Sequence, residues 1–440
     1  MSILDLHPTA PAARTAVVRV HRRTRTLLPL PLLVGALVTS LCFGLRLALA
    51  PSRDYAWNDS YRYVMTIERI LGDTGRQARA AALRWYCGSL GRGSLGRGNG
   101  SGGGTSGVAA CVAHWTAAGG LAPNTAQYNQ IFIARPGYPL LAAPLVAVFG
   151  LGQGLAIVCW LTAMAAGWLC LLIARAAGLR QTGALAAMIA FFLVPSFFWM
   201  QQYLTEGPTM VCTLVVLLGT VCALRGRARL GLTIAAAGYA AGFVVRYSTF
   251  SVQAGALAVC ALLPLLFGRP ARRGAHPHLV VAGFNAAAAV VMAALPPLLG
   301  WPGFSNSLQD TYTDHFTKPT PRGLYGIWLH HVGSYVIHIA HMYAHDPLVP
   351  LTVLVGLAVL WLRFRILAAV VSAAALTGVA SALAHPVASQ QSRLYYQVFL
   401  LAAFGMGALV DLIGRRLRAR PSGFGKLPGT PRAPHGVKVM

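Results

Sequence analysis

Acidic residues are the first feature of this chain that could do chemistry, because they are few and unevenly placed. The chain has 440 residues, with 10 Asp or Glu against 36 Lys or Arg. Asp59 follows the first long apolar run and lies among aromatic residues, including Trp57, Tyr61 and Tyr63. Aromatic side chains concentrate at membrane interfaces, so this carboxylate is predicted at that boundary, where it could accept a proton from a hydroxyl. Capping a helix is its alternative role.

Glu206 is the second acidic candidate, since it is the only carboxylate between positions 75 and 309. It lies at the boundary of two apolar runs, where a charge suggests function. A solvated charge at the end of a span is the alternative interpretation. Gly207 and Pro208 follow directly and predict a tight turn into a helix, whose N-terminus stabilises a negative charge.

Three arginines could bind an anion. Arg246 and Arg393 are predicted near the outer ends of spans, against the usual charge bias, and Tyr247 and Tyr396 lie close to them. Arg135 is a weaker candidate of the same kind. A guanidinium at the interface suits the phosphate of a lipid-linked ligand, whereas snorkelling of the side chain to the surface is the alternative.

The composition indicates a membrane protein. The chain is 56% hydrophobic and only 10% charged, whereas soluble domains carry about 25% charged residues. Apolar runs near 20 residues recur along the chain, and each is long enough to cross about 30 Å of hydrocarbon. The net charge of +26 does not indicate nucleic-acid binding, because the arginines cluster between apolar runs, as they do in cytoplasmic loops.

The fold predicted from these runs is an all-α polytopic membrane protein with about ten transmembrane helices within residues 27–413. The segment 138–150 is too short to cross and is predicted as an interfacial or re-entrant helix. The Arg clusters then fall inside, and Glu206 and the second extracytoplasmic loop, 301–346, fall outside. Both termini would be cytoplasmic. The predicted spans lie near 27–50, 154–174, 183–204, 207–224, 230–248, 249–267, 279–300, 347–362, 366–384 and 394–413.

The basic N-terminus, 1–26, and the basic tail, 414–440, flank this domain, and the tail is predicted to be disordered. The large first extracytoplasmic loop, 51–137, should contain juxtamembrane helices. A helix is predicted over 59–85, followed by a flexible Gly-rich linker at 88–107.

Two further patterns in the outer loops could be structural or functional. Cys87 and Cys111 lie in the first loop, where an extracytoplasmic location permits a disulfide but their spacing does not require one. His338, His341 and His345 recur at roughly one helix face, as metal ligands can. No HExxH signature accompanies them, so a polar interfacial face is preferred and no metal ligands are assigned.

Three motifs, in this order, resemble the GT-C class of membrane glycosyltransferases, above all its bacterial mannosyl-, arabinosyl- and aminoarabinosyl-transferase branches. An acidic residue follows the first span in a pattern like Asp-x-x-x-Tyr. An interfacial helix introduced by prolines comes next, and a second acidic residue then opens a span. The motifs are Asp59-Ser60-Tyr61-Arg62-Tyr63, Arg135-Pro136-Gly137-Tyr138-Pro139 and Tyr203-Leu204-Thr205-Glu206-Gly207-Pro208-Thr209.

The resemblance implies transfer of a sugar, with inversion, from a polyprenyl-phosphate donor to an acceptor outside the plasma membrane. Asp59 would be the base, and Glu206 would orient the acceptor or share that role. Arg393, Arg246 and Arg135 would hold the donor phosphate. Asp59 has no acidic neighbour, unlike several members of the class, which argues against a metal-dependent mechanism. A divalent metal stays open as a cofactor.

The resemblance also implies that Tyr63 and Tyr396 line the substrate site and that membrane lipids surround it. The acceptor could be a lipid, a glycan or a protein. Two other classes of function stay open at this stage. One is a lipid or glycan transporter or flippase, and the other is a non-catalytic protein of cell-envelope assembly.

Overall fold

The computed structural model describes residues 29–49, 56–94, 105–266 and 272–419. All regular structure in these residues is helical, which confirms the predicted all-α class. Residues 1–26 lie outside the described part. The tail predicted to be disordered, 414–440, is helical through Ala419, so the prediction is wrong for 414–419, and the rest of the tail lies outside the described residues. The helices are α1 Leu30–Leu49, α2 Asn58–Ile70, α3 Gly75–Ser94, α4 Thr105–Ala117, α5 Ala126–Ile133, α6 Gly137–Phe149, α7 Leu151–Ala176, α8 Gln181–Leu193, α9 Pro195–Met200, α10 Glu206–Leu224, α11 Ala228–Cys260, α12 Leu263–Leu266, α13 Arg272–Leu298, α14 Phe304–Tyr312, α15 Leu324–His345, α16 Leu348–Arg363, α17 Arg365–Ala384, α18 Gln391–Leu394 and α19 Leu400–Ala419.

Among the described residues, six helices are long and apolar enough to cross a membrane. Two bent pairs, α5 with α6 and α15 with α16, raise the number to eight if each forms one broken span. The chain is therefore an integral membrane protein, but the predicted count of ten spans is not confirmed. The six are Leu151–Ala176, Glu206–Leu224, Ala228–Leu266, Ala275–Leu298, Arg365–Ala384 and Tyr396–Arg418.

One predicted span is shorter than expected, because α8 ends at Leu193. Proline disfavours helical geometry in the residue before it, and Val194 before Pro195 is accordingly extended, with ψ 158°. The predicted span 183–204 is therefore divided between α8 and α9.

Helix α11 folds back on itself at Arg246. That residue has non-helical backbone angles, φ −166° and ψ 70°. The ring of Phe250 lies 6.4 Å from the ring of Tyr239, although the eleven intervening steps of a straight helix would span about 16 Å. Gly242 makes this possible, because a side chain there would meet the Phe250 ring at 2.5 Å. Arg246 thus lies at the tip of two packed helical arms.

Helix α6 has nearly the bounds predicted for the interfacial helix, and it is bent by 73° from α5. Gly150, with φ 76°, turns the chain directly into α7. There Gly154 allows a close approach, since a Cβ on it would lie 2.7 Å from Val146 Cα. Helix α6 therefore packs against α7, while its depth in a membrane stays a prediction.

Charged groups gather at the two ends of α10, about 28 Å apart for its length. At one end Asp411 is fully buried and accepts hydrogen bonds from Arg180 N at 2.9 Å and Arg415 Nε at 2.7 Å. Arg225 donates to the Ala177 carbonyl beside them. The other end begins at Glu206. We call these the Asp411 end and the Glu206 end.

The predicted first loop, 51–137, contains four helices, α2 to α5. Gly72, with φ 106°, separates α2 from α3, so the single helix predicted over 59–85 is wrong. Helix α3 continues through Ser94 and α4 begins at Thr105, so the predicted linker 88–107 is helical at both edges. Its middle, 95–104, lies outside the described residues.

Packing explains why helix replaces the outer parts of the predicted linker. Cys87 on α3 and Cys111 on α4 are joined by a disulfide, with their sulfur atoms 2.00 Å apart. Cys87 and Ser89 are also buried, and the Ser89 hydroxyl donates to the Trp85 carbonyl at 2.7 Å. These contacts outweigh the low helix propensity of the Gly and Ser residues in this segment.

Candidate functional site

Glu206, the first residue of α10, is the centre of a buried ion cluster. Its Oε1 accepts hydrogen bonds from Arg393 Nε at 2.6 Å and from Arg246 Nη1 at 3.1 Å. Arg393 also donates from Nη2 to Asp59 Oδ2 at 2.7 Å. The Glu206 side chain is fully buried, whereas Asp59 keeps 21% of its side chain exposed. Asp59 is therefore the carboxylate of the cluster that a ligand can approach.

Local contacts on α2 leave Asp59 available for this pairing. The hydroxyl of Ser60 accepts a hydrogen bond from Trp57 N at 3.2 Å, so Ser60 makes the helix-start contact. The Trp57 indole donates to Gln202 Oε1 at 3.1 Å, which ties the start of α2 to the turn before Glu206. The alternative role of Asp59 as a helix cap is not what the structure shows.

Glycine brings α6 against the tip of α11. A Cβ on Gly137 would lie 2.8 Å from Val245 Cγ2 and 2.9 Å from the Val244–Val245 backbone. The close approach places Arg135, two residues before Gly137, beside the tip that carries Arg246. Arg135 and Arg246, which come from distant segments, therefore lie close together because residue 137 has no side chain.

Arg135 joins the neighbourhood of the cluster but not its hydrogen bonds. Its charge acts on Tyr63, Tyr247 and Asp59, and its Nε atom is buried with no partner among the described residues. Arg135, the weaker of the three candidate phosphate ligands, therefore has no ion-pair partner among the described residues.

The cluster is electropositive. The three guanidinium groups of Arg393, Arg246 and Arg135 face the carboxylates of Asp59 and Glu206, and three positive against two negative charges leave a net +1. Burial by itself would raise the pKa of Asp59, but Arg393, followed by Arg135 and Arg62, lowers it below its ordinary value. Asp59 is therefore ionised at neutral pH, as a proton acceptor must be.

The two tyrosines predicted to line the site both adjoin it. Tyr396 donates from its hydroxyl to the Glu206 backbone carbonyl at 3.3 Å. The ring of Tyr63 packs 5.3 Å from that of Tyr138, and both hydroxyls are buried without a hydrogen-bond partner in the described chain. Glu206 Oε2 is unpartnered in the same way. Such atoms are costly to bury, so they mark a place where additional hydrogen bonds would stabilise the protein.

The predicted second loop, 301–346, and the segment that follows α17 supply groups that the sequence did not single out. His315 Nδ1 lies 2.8 Å from Asp310 Oδ1, and Thr311 Oγ1 lies 2.5 Å from His385 Nδ1. Burial lowers the pKa of His385 to about 4, and Asp310, Arg393, Arg246 and Asp59 also act on it. Helix α14 is therefore attached beside the ion cluster. One indication of these residues was available from the sequence, which is that they all belong to the predicted outer face.

The histidines of α15 form no metal site in the described part of the chain, where no group of three or more His, Cys, Asp or Glu side chains could hold a metal ion. His338, His341 and His345 are exposed on α15. They lie along a helix whose exposed positions also include Val336 and Ile337. This mixture of polar and apolar exposure fits the interfacial face predicted for the segment.

No protein-family model matches this chain, and no curated protein matches it significantly. Its function must therefore be argued from the ion cluster, the surrounding polar groups and the membrane-spanning architecture.

Proposed function

We propose that this protein is a glycosyltransferase of the membrane that moves a sugar from a polyprenyl-phosphate donor to a hydroxyl acceptor. One observation carries the proposal. Two carboxylates and two guanidinium groups, Asp59, Glu206, Arg246 and Arg393, come from four distant segments and meet at one end of a membrane helix bundle. Carboxylates and arginines at a membrane boundary supply a base and a phosphate site in one place.

The carboxylate of Asp59 and the guanidinium groups of the arginines have different roles in this reaction. The acceptor oxygen attacks the anomeric carbon, the bond from that carbon to the phosphate oxygen breaks, and the sugar inverts. Asp59 takes the proton of the acceptor hydroxyl. The negative charge that develops on the departing phosphate is stabilised by Arg393, Arg246 and Arg135, which is electrostatic catalysis by fixed groups.

Arg393 must change partners for this reaction to proceed. In the structure it bridges Asp59 and Glu206 through two of its nitrogens. A phosphate that draws Nη2 away would free the Asp59 carboxylate and remove its strongest stabilising charge. The pKa of Asp59 would then rise, and the carboxylate would become a better proton acceptor when the donor is present.

A groove between the first arm of α11 and α13 suits the polyprenyl chain. It has a volume of about 510 Å³ and an apolar lining in which Ala236, Ala240, Ala287 and Ala288 leave room between larger side chains. Phe243 borders the same groove, only three positions before Arg246. An apolar groove that leads toward arginines fits a ligand with an apolar tail and an anionic head.

The Glu206 end is assigned to the extracytoplasmic side of the plasma membrane. The opposite end gathers Arg175, Arg180, Arg225 and Arg415, and clusters of arginine mark cytoplasmic loops. A disulfide joins Cys87 and Cys111 on the loop at the Glu206 end, and disulfides persist in oxidising compartments. Both observations favour the same orientation.

The test is transfer by purified protein in lipid vesicles. Decaprenyl-phosphate mannose and decaprenyl-phosphate arabinose are supplied as donors with octyl glycosides as acceptors, with and without a divalent metal ion. We expect the wild type to consume one donor, and Asp59→Asn and Glu206→Gln to lose at least 100-fold in rate, within the range of removing a general base.

Asp411→Asn is the matched control, since it removes the charge of a buried carboxylate that pairs with Arg415 at the opposite end of the bundle. It should keep the wild-type rate. If Asp59→Asn transfers sugar as fast as the wild type, Asp59 is not the base. If the wild type consumes neither donor under any condition, the proposal fails, and transport or assembly becomes the better account.

A further inference from the structure

A tight turn after α14 holds one imidazole in a fixed position. Asp314, His315 and Phe316 have φ of 52°, 59° and 63°, a left-handed conformation that residues with a Cβ rarely adopt. Local hydrogen bonds hold this turn, from His315 N to the Asp310 carbonyl at 2.9 Å and from Lys318 N to the Thr313 carbonyl at 2.8 Å. Strained backbone of this kind is frequently associated with functional positions.

The first outer loop fixes the same residue from the other side. Thr125 Oγ1 donates to the His315 carbonyl at 3.0 Å, and the Tyr128 ring lies 4.5 Å from the imidazole. Tyr128 also contacts Arg62, whose guanidinium carbon is 4.3 Å from the ring centre. Arg62 is one helical turn after Asp59 on α2. The imidazole is therefore positioned on the Asp59 side of the ion cluster.

The ring nitrogens of His315 have different environments. Nδ1 bonds to Asp310 Oδ1 at 2.8 Å, which fixes the orientation of the ring. Nε2 has no hydrogen-bond partner in the described chain, and the side chain is 35% exposed. A carboxylate-bound imidazole with its second nitrogen accessible is a common way to present one hydrogen-bonding atom to a ligand.

We propose that His315, oriented by Asp310, binds an oxygen of the acceptor through Nε2–H and so positions the acceptor hydroxyl toward Asp59. This inference rests on the proposed transferase function. The donor would enter from the membrane along the α11–α13 groove, whereas this imidazole is reached through an exposed turn. The two substrates would therefore approach the cluster from different directions.

Binding through Nε2–H requires the protonated ring, so it should depend on pH. The hydrogen bond to Asp310 raises the pKa of His315, burial opposes that, and the charges of Asp310, Asp314 and Asp59 raise it further. The neighbouring groups on the first loop are the Tyr128 ring and Arg62 behind it. Acceptor binding should thus be strong below this raised pKa and weaken above it.

The experiment compares acceptor KM, donor KM and donor hydrolysis in the absence of acceptor, using the donors and octyl glycosides named above. His315→Phe keeps a ring against Tyr128 but removes both nitrogens. We expect it to raise acceptor KM roughly ten- to a hundredfold, the range for losing a hydrogen bond to a charged group. Donor KM and donor hydrolysis should be unchanged.

Asp310→Asn removes both a hydrogen bond and a charge that raise the pKa of His315, so it should move the rise of acceptor KM to lower pH by more than Asp314→Asn, which removes only a charge. Asp314 is the matched control, because it lies in the same turn with its side chain 62% exposed and pairs with Lys318 at 3.4 Å. Asparagine also tolerates the left-handed conformation at that position.

The outcomes separate the two proposals. If the wild type neither hydrolyses a donor nor transfers its sugar, the transferase function fails and this inference fails with it. If donor is hydrolysed but no glycoside accepts sugar, or His315→Phe leaves acceptor KM unchanged, the binding site at His315 is wrong and the transferase function survives. A parallel rise in acceptor KM and donor KM would show a purely structural role for His315 and would also overturn the inference.

Discussion

Replacing Asp59 by asparagine should strengthen the binding of a phosphate ligand while it abolishes turnover. Arg393 donates to both Asp59 and Glu206, so a phosphate must compete with a carboxylate for the Nη2 group. Asparagine keeps the size of the side chain but removes the charge. The loss of a catalytic carboxylate and the gain of phosphate affinity would then come from the same substitution.

The size of the gain follows from the bond that the phosphate replaces. A hydrogen bond to a charged group is worth about 1.5–3 kcal/mol net, and about 1.4 kcal/mol corresponds to a tenfold change in affinity. We therefore expect the Kd for phosphate ligands to fall roughly ten- to a hundredfold. Arg393 stays in place, because its bond to the fully buried Glu206, 2.6 Å long, is unchanged.

The assay is calorimetric titration of the purified protein in lipid nanodiscs with farnesyl phosphate, which has the proposed head group and no sugar. Arg393→Lys should weaken binding, because lysine cannot replace the two-sided guanidinium contact. Asp411→Asn removes a buried carboxylate that pairs with Arg415 at the Asp411 end and should leave the Kd unchanged. If folded Asp59→Asn binds farnesyl phosphate no more tightly than the wild type, Arg393 is not shared between carboxylate and phosphate.

Two further predictions test the support of the site. Gly137→Ala would place a methyl group 2.8–2.9 Å from Val244 and Val245, so α6 must shift. We expect a loss of about 1–3 kcal/mol in stability with weaker binding of farnesyl phosphate, whereas Gly152→Ala, with no neighbouring atom within 4 Å, should change neither. Asp310→Asn should lower the thermal unfolding temperature at pH values below the ordinary pKa of histidine, about 6.5. The pKa of His315 is raised in the folded protein, so the difference in unfolding temperature between Asp310→Asn and wild type should disappear as the pH rises through that pKa. A difference in unfolding temperature that persists at alkaline pH would contradict this prediction.

The sequence was sufficient to predict which charged residues matter, because charges near a membrane interior are costly and few. Asp59, Glu206, Arg246 and Arg393 stood out on that ground, and the structure brings them together. Their pairing was not predictable, since Asp59 and Arg393 are 334 positions apart and no local pattern encodes such a contact. His315 was overlooked as an individual site because its setting depends on a left-handed turn and on contacts from another loop.

The helix boundaries, too, were predictable only in part. The bounds of α6 were predictable within a residue because Pro136 and Gly150 flank a short apolar run. The break at Val194 was not predicted, because apolar residues on all sides give a membrane helix little periodicity to interrupt. The fold-back at Arg246, in contrast, lies beside the predicted boundary between the spans 230–248 and 249–267. The break between α2 and α3 depends on one glycine, Gly72, with a positive φ. A glycine in a sequence does not reveal which backbone conformation it adopts.

The ion cluster gives the bundle less stability than apolar packing of the same volume could. Removing charges from water is costly, and well-packed apolar residues often match or exceed the stability of a buried ion pair. Glu206 is fully buried with one carboxylate oxygen unpartnered, which adds to that cost. The arrangement is therefore better explained by what it binds than by what it stabilises. Because Arg393 is held by the carboxylates that a phosphate must partly replace, folding and ligand binding depend on the same side chain.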